Sequence, residues 1–492
     1  MRVALDIDTP ESPGWWINEL GGELHDRRAG RVGRKRFTRR SVESSRIRPG
    51  LELLSDYLRG DPPLRDDIHA DWAGPFRQYL RMGRLNFAKN LVSSTSNRLG
   101  IEGFRTAAQD DQLGDRDVHT LMRRNKMKLR AREVHDYALG LGDGYAIVTP
   151  PDAQRPWSLI TAESPLQCIT AEDPATGETL AGLKMFRDHR LGADFAYLFL
   201  PGELWVARAD VPASTLFGRR PFHLSDQWAW DEDRFDDVPD DRVAMHRFRN
   251  KDGVSEIEGY LDHLDRINDK LFNEWWIGKI QAFRQRALEM PDEEVEGDAD
   301  LDDEATPEDE DFAGIFTSAP DAMWQLPSGA KIWESGNVDV TPLVSSVKAE
   351  LQWLAASASI PLHTITPDAA NGSAEGASLM REEHVEKIQD RRDRFDGEWA
   401  EVIGMALAFQ GDTERADAAQ IEAIWGPIVR YSLQEKSSAA QAVKEILPRE
   451  VIATDILQYS PSDVQNRLEP AWARDMLYRD LPATPGQAQP GS

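Results

Sequence analysis

Four acidic side chains are spaced so that they could share one face of a helix. Glu258, Asp262, Asp265 and Asp269 follow one another at intervals of three and four residues, and this spacing brings side chains onto the same side of an α-helix. Carboxylates grouped in this way can bind a divalent metal ion. A solvated face without a ligand is the simpler interpretation and is favoured. A third interpretation is a face that repels phosphate groups along a pore.

Other signatures of catalysis are absent from the sequence. It contains neither the G-x-x-x-x-G-K-[ST] sequence that binds a triphosphate nor an H-E-x-x-H sequence, and its ten histidines do not fall at metal-ligand spacing. None of the thirteen lysines has an acidic residue two positions before it, so the D/E-x-K core of many nucleases is missing. The glycine-rich stretch 140–144 follows a predicted helix and precedes a predicted strand, which is typical of a helix C-cap and turn. We therefore predict no enzyme activity, no metal ion and no cofactor.

The acidic row lies within the longest helical pattern of the chain, residues 254–291. Ser255 and Glu258 match an S-x-x-E capping box at its start, and Pro291 cannot continue a helix. Between them, apolar residues recur at intervals of three and four and form one seam. At 1.5 Å per residue the helix would be about 50 Å long. We predict a strut within a larger assembly, whose apolar seam neighbouring subunits cover.

Composition narrows the possible classes of protein. A chain of 492 residues with 40% hydrophobic residues can form roughly three or four domains. No apolar run approaches the ~20 residues that cross a bilayer, and no signal-peptide pattern is present, so we expect neither membrane insertion nor export. The single cysteine, Cys168, cannot form an internal disulfide, and we predict that its side chain is buried as an apolar group in the core. The formal charge of −27 argues against a protein that coats nucleic acid, although it is compatible with one past which nucleic acid slides.

Basic residues are concentrated in two stretches despite the negative total. The first follows a short amphipathic helix that begins at Trp15, and it comprises Arg27, Arg28, Arg31, Arg34, Lys35, Arg36, Arg39, Arg40, Arg46 and Arg48. It could be an arm that binds nucleic acid or an acidic partner, or a solvated mobile arm, and both interpretations stay open. The second stretch opens a helix predicted over residues 121–139, and it comprises Arg123, Arg124, Lys126, Lys128, Arg130 and Arg132.

Helices and strands are mixed in the first half of the chain. We predict a short helix from Leu51 that ends at Gly60, a helix over 86–99, and strands at 101–105 and 145–149. From 157 to 249 the pattern is of short strands, with a hairpin turn at 173–177. The fold class predicted from these elements is α+β.

The composition changes after Pro291. Residues 292–311 contain thirteen acidic and no basic residues, and we predict a disordered acidic loop. Thr341 and Pro342 then open a second helix. A loop with two prolines and an Asn-Gly turn follows over 360–373, and Ser373 can cap the long helix after it. Apolar residues of that helix, among them Phe395 and Trp399, recur at intervals of three and four and predict one apolar face, which Arg392 interrupts. A strand, a helix with a capping box at Ser432 and Glu435, and further helices precede a disordered tail.

Taken in order, several short segments resemble the portal proteins of tailed bacteriophages, specifically the portal family of long non-contractile-tailed phages. No segment is specific alone, but their order and spacing over residues 50–470 make the resemblance strong. The segments are LRGDPPL (58–64), NFAKNLV (86–92), RLGIEGF (98–104), GDGYAIV (142–148), GVSEI (253–257), the loop with Pro361 and NGS (371–373), and IWGP (424–427).

The resemblance implies a multidomain α+β subunit with an α/β wing, two stem helices, a small β-containing clip and a helical crown. The implied parts are a wing with a basic arm (1–254), stem helix 1 (255–290), a clip with the acidic loop (291–337), stem helix 2 (338–358), a tunnel loop (359–374), a long wing helix (375–410), a crown (411–480) and a disordered tail (481–492). The long acidic run and the basic arm depart from the family pattern.

The resemblance also implies a function and partners. The subunits would form a non-enzymatic ring, usually of twelve copies, at one capsid vertex of a virion assembled in the host cytoplasm. Double-stranded DNA would be packaged and ejected through its channel. Terminase, head-completion or adaptor proteins, and the major capsid or scaffolding protein would dock on it. The implied channel residues are His363, Thr364, Thr366, Asn371 and Ser373.

Two functions from other classes stay open on the residues alone. The acidic helix face could serve a metal-dependent phosphodiesterase, although the missing histidine and lysine partners argue against it. A helical adaptor or scaffold without a pore would use the same helices and stay monomeric or dimeric.

Overall fold

The structure is a computed structural model that divides into two compact units, Met1–Ile267 with Glu350–Ser492, and Asn268–Ala349. It describes residues 4–30, 48–63, 81–108, 113–210, 224, 227–231, 236–237, 240–282, 286–289, 331–334, 336, 338–365, 374–429 and 431–479. The predicted acidic loop and tail therefore lie outside the described residues. Helices and antiparallel sheets are mixed in the fold, which confirms the α+β class.

The larger unit begins with a helix, α1 (Pro13–Ala29), that packs on an antiparallel sheet. Ser12 caps the helix by accepting from the Trp15 amide at 3.2 Å, and Gly30, in a left-handed conformation, ends it. Ile17, Leu20 and Leu24 bury one helix face against the sheet. The strands are β4 (Cys168–Glu172), β5 (Thr179–Asp188), β6 (Ala193–Leu200), β7 (Glu203–Ala209) and β8 (Trp228–Trp230), in that order, with β9 (Asp236–Asp237) also paired to β7. Cys168 is fully buried in this sheet, as predicted.

A second sheet forms next to a helix-to-strand step. Its strands, in the order β10, β2, β3, are β10 (Met245–Arg249), β2 (Asp143–Thr149) and β3 (Leu159–Glu163). The step depends on Gly142, whose φ of 91° is left-handed, and on Gly144, where an added Cβ would lie only 2.4 Å from the Val134 carbonyl oxygen. The predicted C-cap and turn at 140–144 is confirmed.

Before β2, the described residues of this unit form four further helices and one strand. They are α2 (Leu51–Arg59), α3 (Phe87–Ser96), β1 (Ile101–Arg105), α4 (Arg116–Arg124) and α5 (Met127–Leu141). The prediction of one continuous helix over 121–139 was wrong. The chain breaks at Asn125 and Lys126, and Lys126 has a left-handed φ of 52°, because the buried Asn125 side chain bonds to strand β3 and not to solvent.

The long helix predicted over 254–291 is shorter than its pattern suggests. A tight turn at Glu258–Tyr260 leads into α6 (Leu261–Ala282), and β11 (Arg286–Glu289) follows. The capping box does not form, because the Ser255 hydroxyl donates to the Gly140 carbonyl at 2.6 Å. The 22 residues of α6 are about 33 Å long, so the boundary 255–290 for one helix is corrected.

The smaller unit, Asn268–Ala349, holds the end of α6, an antiparallel pair and the start of a second helix. β11 pairs with β12 (Lys331–Glu334), and α7 (Thr341–Ser357) follows. Within this unit Lys270 Nζ donates to Ser346 Oγ at 2.8 Å, and Gln281 donates to the Val338 carbonyl at 2.6 Å. The first bond joins α6 to α7, and the second joins α6 to the segment that leads into α7.

The rest of the larger unit is organised on a 35-residue helix, α8 (Ala374–Ala408). Its predicted apolar face is buried, including Phe395 and Trp399. Arg392 interrupts that face, is also buried, and donates to the carbonyls of Arg98 and Gly426.

The chain after α8 forms one strand and two helices. They are β13 (Glu422–Trp425), which pairs with β1, then α9 (Leu433–Val443) and α10 (Glu469–Arg479), with helical turns between these two helices. The capping box of Ser432 and Glu435 forms as predicted. Among the described residues, no helix is long and apolar enough to cross a membrane.

Candidate functional site

The acidic row, with Glu258 in the turn before α6 and the other three residues on α6, is partly engaged by neighbouring side chains. Both carboxylate oxygens of Glu258 accept from Arg48, at 3.1 and 2.9 Å. Asp265 accepts from the Tyr57 hydroxyl at 2.8 Å, and burial together with this carboxylate raises the pKa of Tyr57. Asp262 makes no ion pair within the described part of the larger unit, and Asp269 belongs to the smaller unit. The row is therefore not a uniform face of free carboxylates.

The geometry of the row does not assemble a metal site. Three or more His, Cys, Asp or Glu side chains do not come together closely enough to hold a metal ion anywhere in the described ranges. In addition, a carboxylate that already receives two guanidinium hydrogen bonds, as Glu258 does, has fewer lone pairs for a cation. The metal-dependent phosphodiesterase gains no support from these contacts.

Two of the five predicted channel residues can be described. His363 and Thr364 are exposed and lie in a tight turn, Leu362–Thr364. The Thr364 hydroxyl donates to the Pro361 carbonyl at 2.7 Å, and its amide donates to the same carbonyl at 2.9 Å. The turn thus has its own internal hydrogen bonds. Thr366, Asn371 and Ser373 lie outside the described residues.

The carbonyl groups at the end of α7 are held by side chains from two other segments. Ser357 accepts from the Tyr260 hydroxyl at 2.6 Å, Ala358 from Lys387 Nζ at 3.1 Å, and Ser359 from His384 Nδ1 at 3.0 Å. The last carbonyls of a helix have no partner within the helix, so these three bonds satisfy groups that would otherwise be unpaired. We call Tyr260, His384 and Lys387 the helix-end clamp.

A buried ion cluster lies behind the clamp. Glu256 pairs with Lys387 at 2.7 Å and with Arg391 at 2.7 Å, and its side chain and that of Arg391 are each 9% exposed. Burial opposes ionisation of Glu256, but Lys387 and Arg391 outweigh it and hold its pKa below the usual value. Glu256 is therefore charged at neutral pH and orients both cations.

The protonation of His384 fits its role as a donor. Burial lowers the pKa of His384 to about 4, although the bond to the Ser359 carbonyl opposes that change. The ring is therefore neutral at pH 7. Because Nδ1 faces a carbonyl oxygen, the tautomer that carries its proton on Nδ1 makes the bond. Sequence reasoning missed the clamp, and its one local signal is the spacing of His384, Lys387 and Arg391 along one helix face.

The described part of the basic arm is paired within the chain. Arg27 bonds to Asp143, a fully buried carboxylate that also accepts from Arg247 at 2.9 Å. Arg28 pairs with Glu52 at 2.6 Å, and Arg48 with Glu258. The Arg27 and Arg247 charges outweigh burial and keep the pKa of Asp143 low. These three arginines are paired with carboxylates of the same chain, and the other seven cations of the arm lie outside the described residues.

Comparison with known proteins finds similarity only at the level of solved structures. No protein-family model matches the chain, and no curated protein matches it. Similar structures include a chain from the neck of an empty GTA particle computed with C6 symmetry, at 13% identity and a TM-score of 0.42, covering 76% of this chain and 89% of that one. A chain from the neck of a native GTA particle computed with C12 symmetry has 12% identity and a TM-score of 0.40, covering 83% and 99%.

A third similar structure comes from the virion of a native gene transfer agent (GTA) particle. It has 11% identity and a TM-score of 0.38, and the match covers 82% of this chain and 87% of that one. Similarities at these identities and TM-scores assign neither a family nor a function to the chain.

Proposed function

We propose that this chain is a non-enzymatic structural component of the head–tail junction of a phage-like virion, and more specifically its portal protein. Copies of the chain form a ring, usually of twelve, at one capsid vertex. Double-stranded DNA is packaged and ejected through the ring. Terminase, head-completion or adaptor proteins, and the major capsid or scaffolding protein are its partners.

The observation that carries the proposal is the order of elements that bear the portal-like segments. LRGDPPL (58–64) begins at the end of α2, NFAKNLV (86–92) opens α3, and GDGYAIV (142–148) is the step into β2. GVSEI (253–257) precedes α6, and IWGP (424–427) begins in β13. Between these segments the chain runs from helix α6 through the pair β11 and β12 to helix α7, which is the order that a stem, clip and stem require.

The electrostatics of the chain suit a channel through which a duplex slides. Contacts of lysine and arginine with phosphates hold a duplex in place, and the net charge of −27 disfavours them. In the proposed tunnel loop, the described His363 and Thr364 are exposed and offer polar groups with little fixed charge. In the proposed stem, Asp262 and Asp265 of the acidic row would repel the phosphates of the duplex.

Assembly of the purified protein tests the proposal. Light scattering at micromolar concentration gives the mass in solution, and negative-stain images show whether the particles are rings with a central opening. We expect closed rings, because the exposed apolar side chains of the helices, such as Trp353 on α7 at 61% exposure, need neighbouring subunits to cover them. A stable monomer in several salts would contradict the proposal, and closed particles without an opening would indicate a scaffold.

A further inference from the structure

A corner of the larger unit displays a concentration of positive charge. Between Arg116 and Arg132 the chain carries seven basic residues and one acidic residue, Asp117, within a protein of net charge −27. Around the junction of α4 and α5 the exposed side chains include Arg123, Arg124, Lys126, Lys128, Leu129 and Arg132, with Arg130 half-buried. We call this set the basic corner. The portal proposal gives it no role.

The corner is held rigidly by one buried side chain. Asn125 is 3% exposed, donates to the Leu121 and Ser158 carbonyls at 3.1 and 3.0 Å, and accepts from the Ile160 amide at 2.9 Å. It thereby fixes the end of α4 against β3. The flanking cations are presented from a fixed backbone, so little backbone entropy is lost when a ligand binds them.

Most cations of the corner have no carboxylate partner among the described residues. Within the described residues, Arg123, Lys126, Arg130 and Arg132 have no carboxylate within 4.0 Å, whereas Lys128 is paired with Glu102. Arg124 lies over the ring of Trp157, at 5.1 Å from its centroid, and this stacking leaves its N–H groups available at the edge. The field also acts on His119, whose pKa is lowered by burial and by Lys128 and Arg123.

The corner also contains an exposed apolar side chain. Leu129 is 55% exposed and lies between Lys128 and Arg130 in the first turns of α5. From Lys126 to Arg132 the helix rises by about 9 Å, which matches a few residues of an extended peptide. An apolar group gains nothing from a phosphate, and the overall negative charge of the chain opposes a long polyanion such as a duplex.

We propose that the basic corner is a docking surface for a short acidic segment of a partner protein, with an apolar side chain of that segment against Leu129. Carboxylates of the segment pair with Arg123, Lys126 and Arg130, and the apolar contact fixes the register. The positive charge of the corner attracts such a segment and raises its rate of association, so the complex weakens as salt rises.

A titration of the full-length protein tests this surface. The probe is a fluorescein-labelled oligoglutamate peptide with one central leucine, and the readout is fluorescence anisotropy at low and high salt. The triple variant Arg123→Gln, Lys126→Gln, Arg130→Gln should bind the peptide about tenfold more weakly than the wild type. The matched control is Lys444→Gln, Arg449→Gln, Arg474→Gln, which removes three exposed cations elsewhere in the unit that have no carboxylate within 4.0 Å among the described residues, and this variant should bind as the wild type does.

Two further measurements separate the peptide from other ligands. Leu129→Ser should weaken the peptide about threefold while leaving the salt dependence unchanged, because only apolar contact is lost. Equal binding by the triple variant and its control, or no binding by the wild type, would overturn the proposal. Tighter binding of a labelled DNA duplex than of the peptide, lost in the triple variant, would also overturn it in favour of a nucleic-acid surface. The corner lies outside the proposed channel residues, so the titration stays valid even if the protein forms no ring.

Discussion

The helix-end clamp predicts that Lys387 positions the loop after α7. Lys387 Nζ bonds to the Ala358 carbonyl at 3.1 Å and to Glu256 at 2.7 Å, and its side chain is 13% exposed. In Lys387→Met the buried carbonyl loses its donor, which costs about 1–3 kcal/mol. Breaking a buried ion pair costs about 3–5 kcal/mol, but Arg391 still pairs with Glu256, so we expect a total below the sum of the two costs, at about 3 kcal/mol.

The effect should be measurable both globally and at the loop. At about 2.1 cal/mol/K per residue, each kcal/mol corresponds to about 1 °C of Tm in a unit of this size, so we expect Tm to fall by about 3 °C. Hydrogen exchange should accelerate at the Ile360 amide, which donates to the Ala355 carbonyl at the end of α7 at 2.9 Å. It should also accelerate at the Thr364 and Ile365 amides, whose bonds of 2.9 and 3.0 Å close the turn. Amides of the β5–β6 hairpin should exchange as in the wild type.

Two variants control for the general effect of losing a lysine. Lys387→Arg keeps the charge and the donors and should restore slow exchange at the loop, whereas the exposed Lys444→Met should change neither readout. If Lys387→Met lowers Tm no more than Lys444→Met does, or leaves loop exchange unchanged, the clamp does not position the loop.

The ion cluster of Glu256, Lys387 and Arg391 predicts that the stability of the fold depends on pH. The pKa of Glu256 is lowered from 4.5 in the folded state, so its ionised form stabilises the fold fully above about pH 4.5, and this stability is lost as pH falls through the folded pKa. The Tm difference between wild type and Glu256→Gln should therefore be constant from neutral pH to about pH 5 and should shrink at lower pH. A difference that grows on acidification would contradict the ion-cluster assignment.

Two more predictions rest on the proposed channel. Thr364→Arg with Thr366→Arg places a collar of cations in a poorly screened pore. Rings should still assemble, but the DNA content of filled heads should fall, most at low salt, because the arginines bind the phosphates of the passing duplex. Normal packaging by rings that carry both arginines would exclude the loop from the channel. Deleting residues 292–311, which have little apolar surface to bury, should leave rings intact in negative-stain images, and loss of assembly would show that the segment is structural.

Elements specified by neighbouring residues were predictable from the sequence. The capping box at Ser432, the hairpin turn before β5 and the apolar face of α8 all depend on side chains within a few residues of one another. Such patterns are decided by local geometry and by the period of the apolar positions. Burial of Cys168 followed equally from its side-chain type.

Elements decided by distant partners were not predictable. Ser255 has the sequence context of a helix cap, but its hydroxyl donates to Gly140, 115 positions away, and α6 therefore starts later. Asn125 interrupts a good helical pattern because its amide satisfies groups of the strand that contains Ile160. In both cases a long-range hydrogen bond competes with a local one, and the local spacing of residues does not reveal which of the two bonds forms.

The segment 250–257 shows how these distant contacts link the fold to the candidate loop. The Asn250 amide donates to the Gly142 carbonyl at 3.0 Å, and the Glu256 amide donates to the Leu139 carbonyl at 2.8 Å, so the segment is fixed to the end of α5. The side chain of Glu256 pairs with Lys387, which in turn donates to the Ala358 carbonyl. A continuous chain of bonds therefore joins the α5 turn to the end of α7, and Glu256→Gln should alter hydrogen exchange at both ends, whereas Lys387→Met should alter it only at the loop.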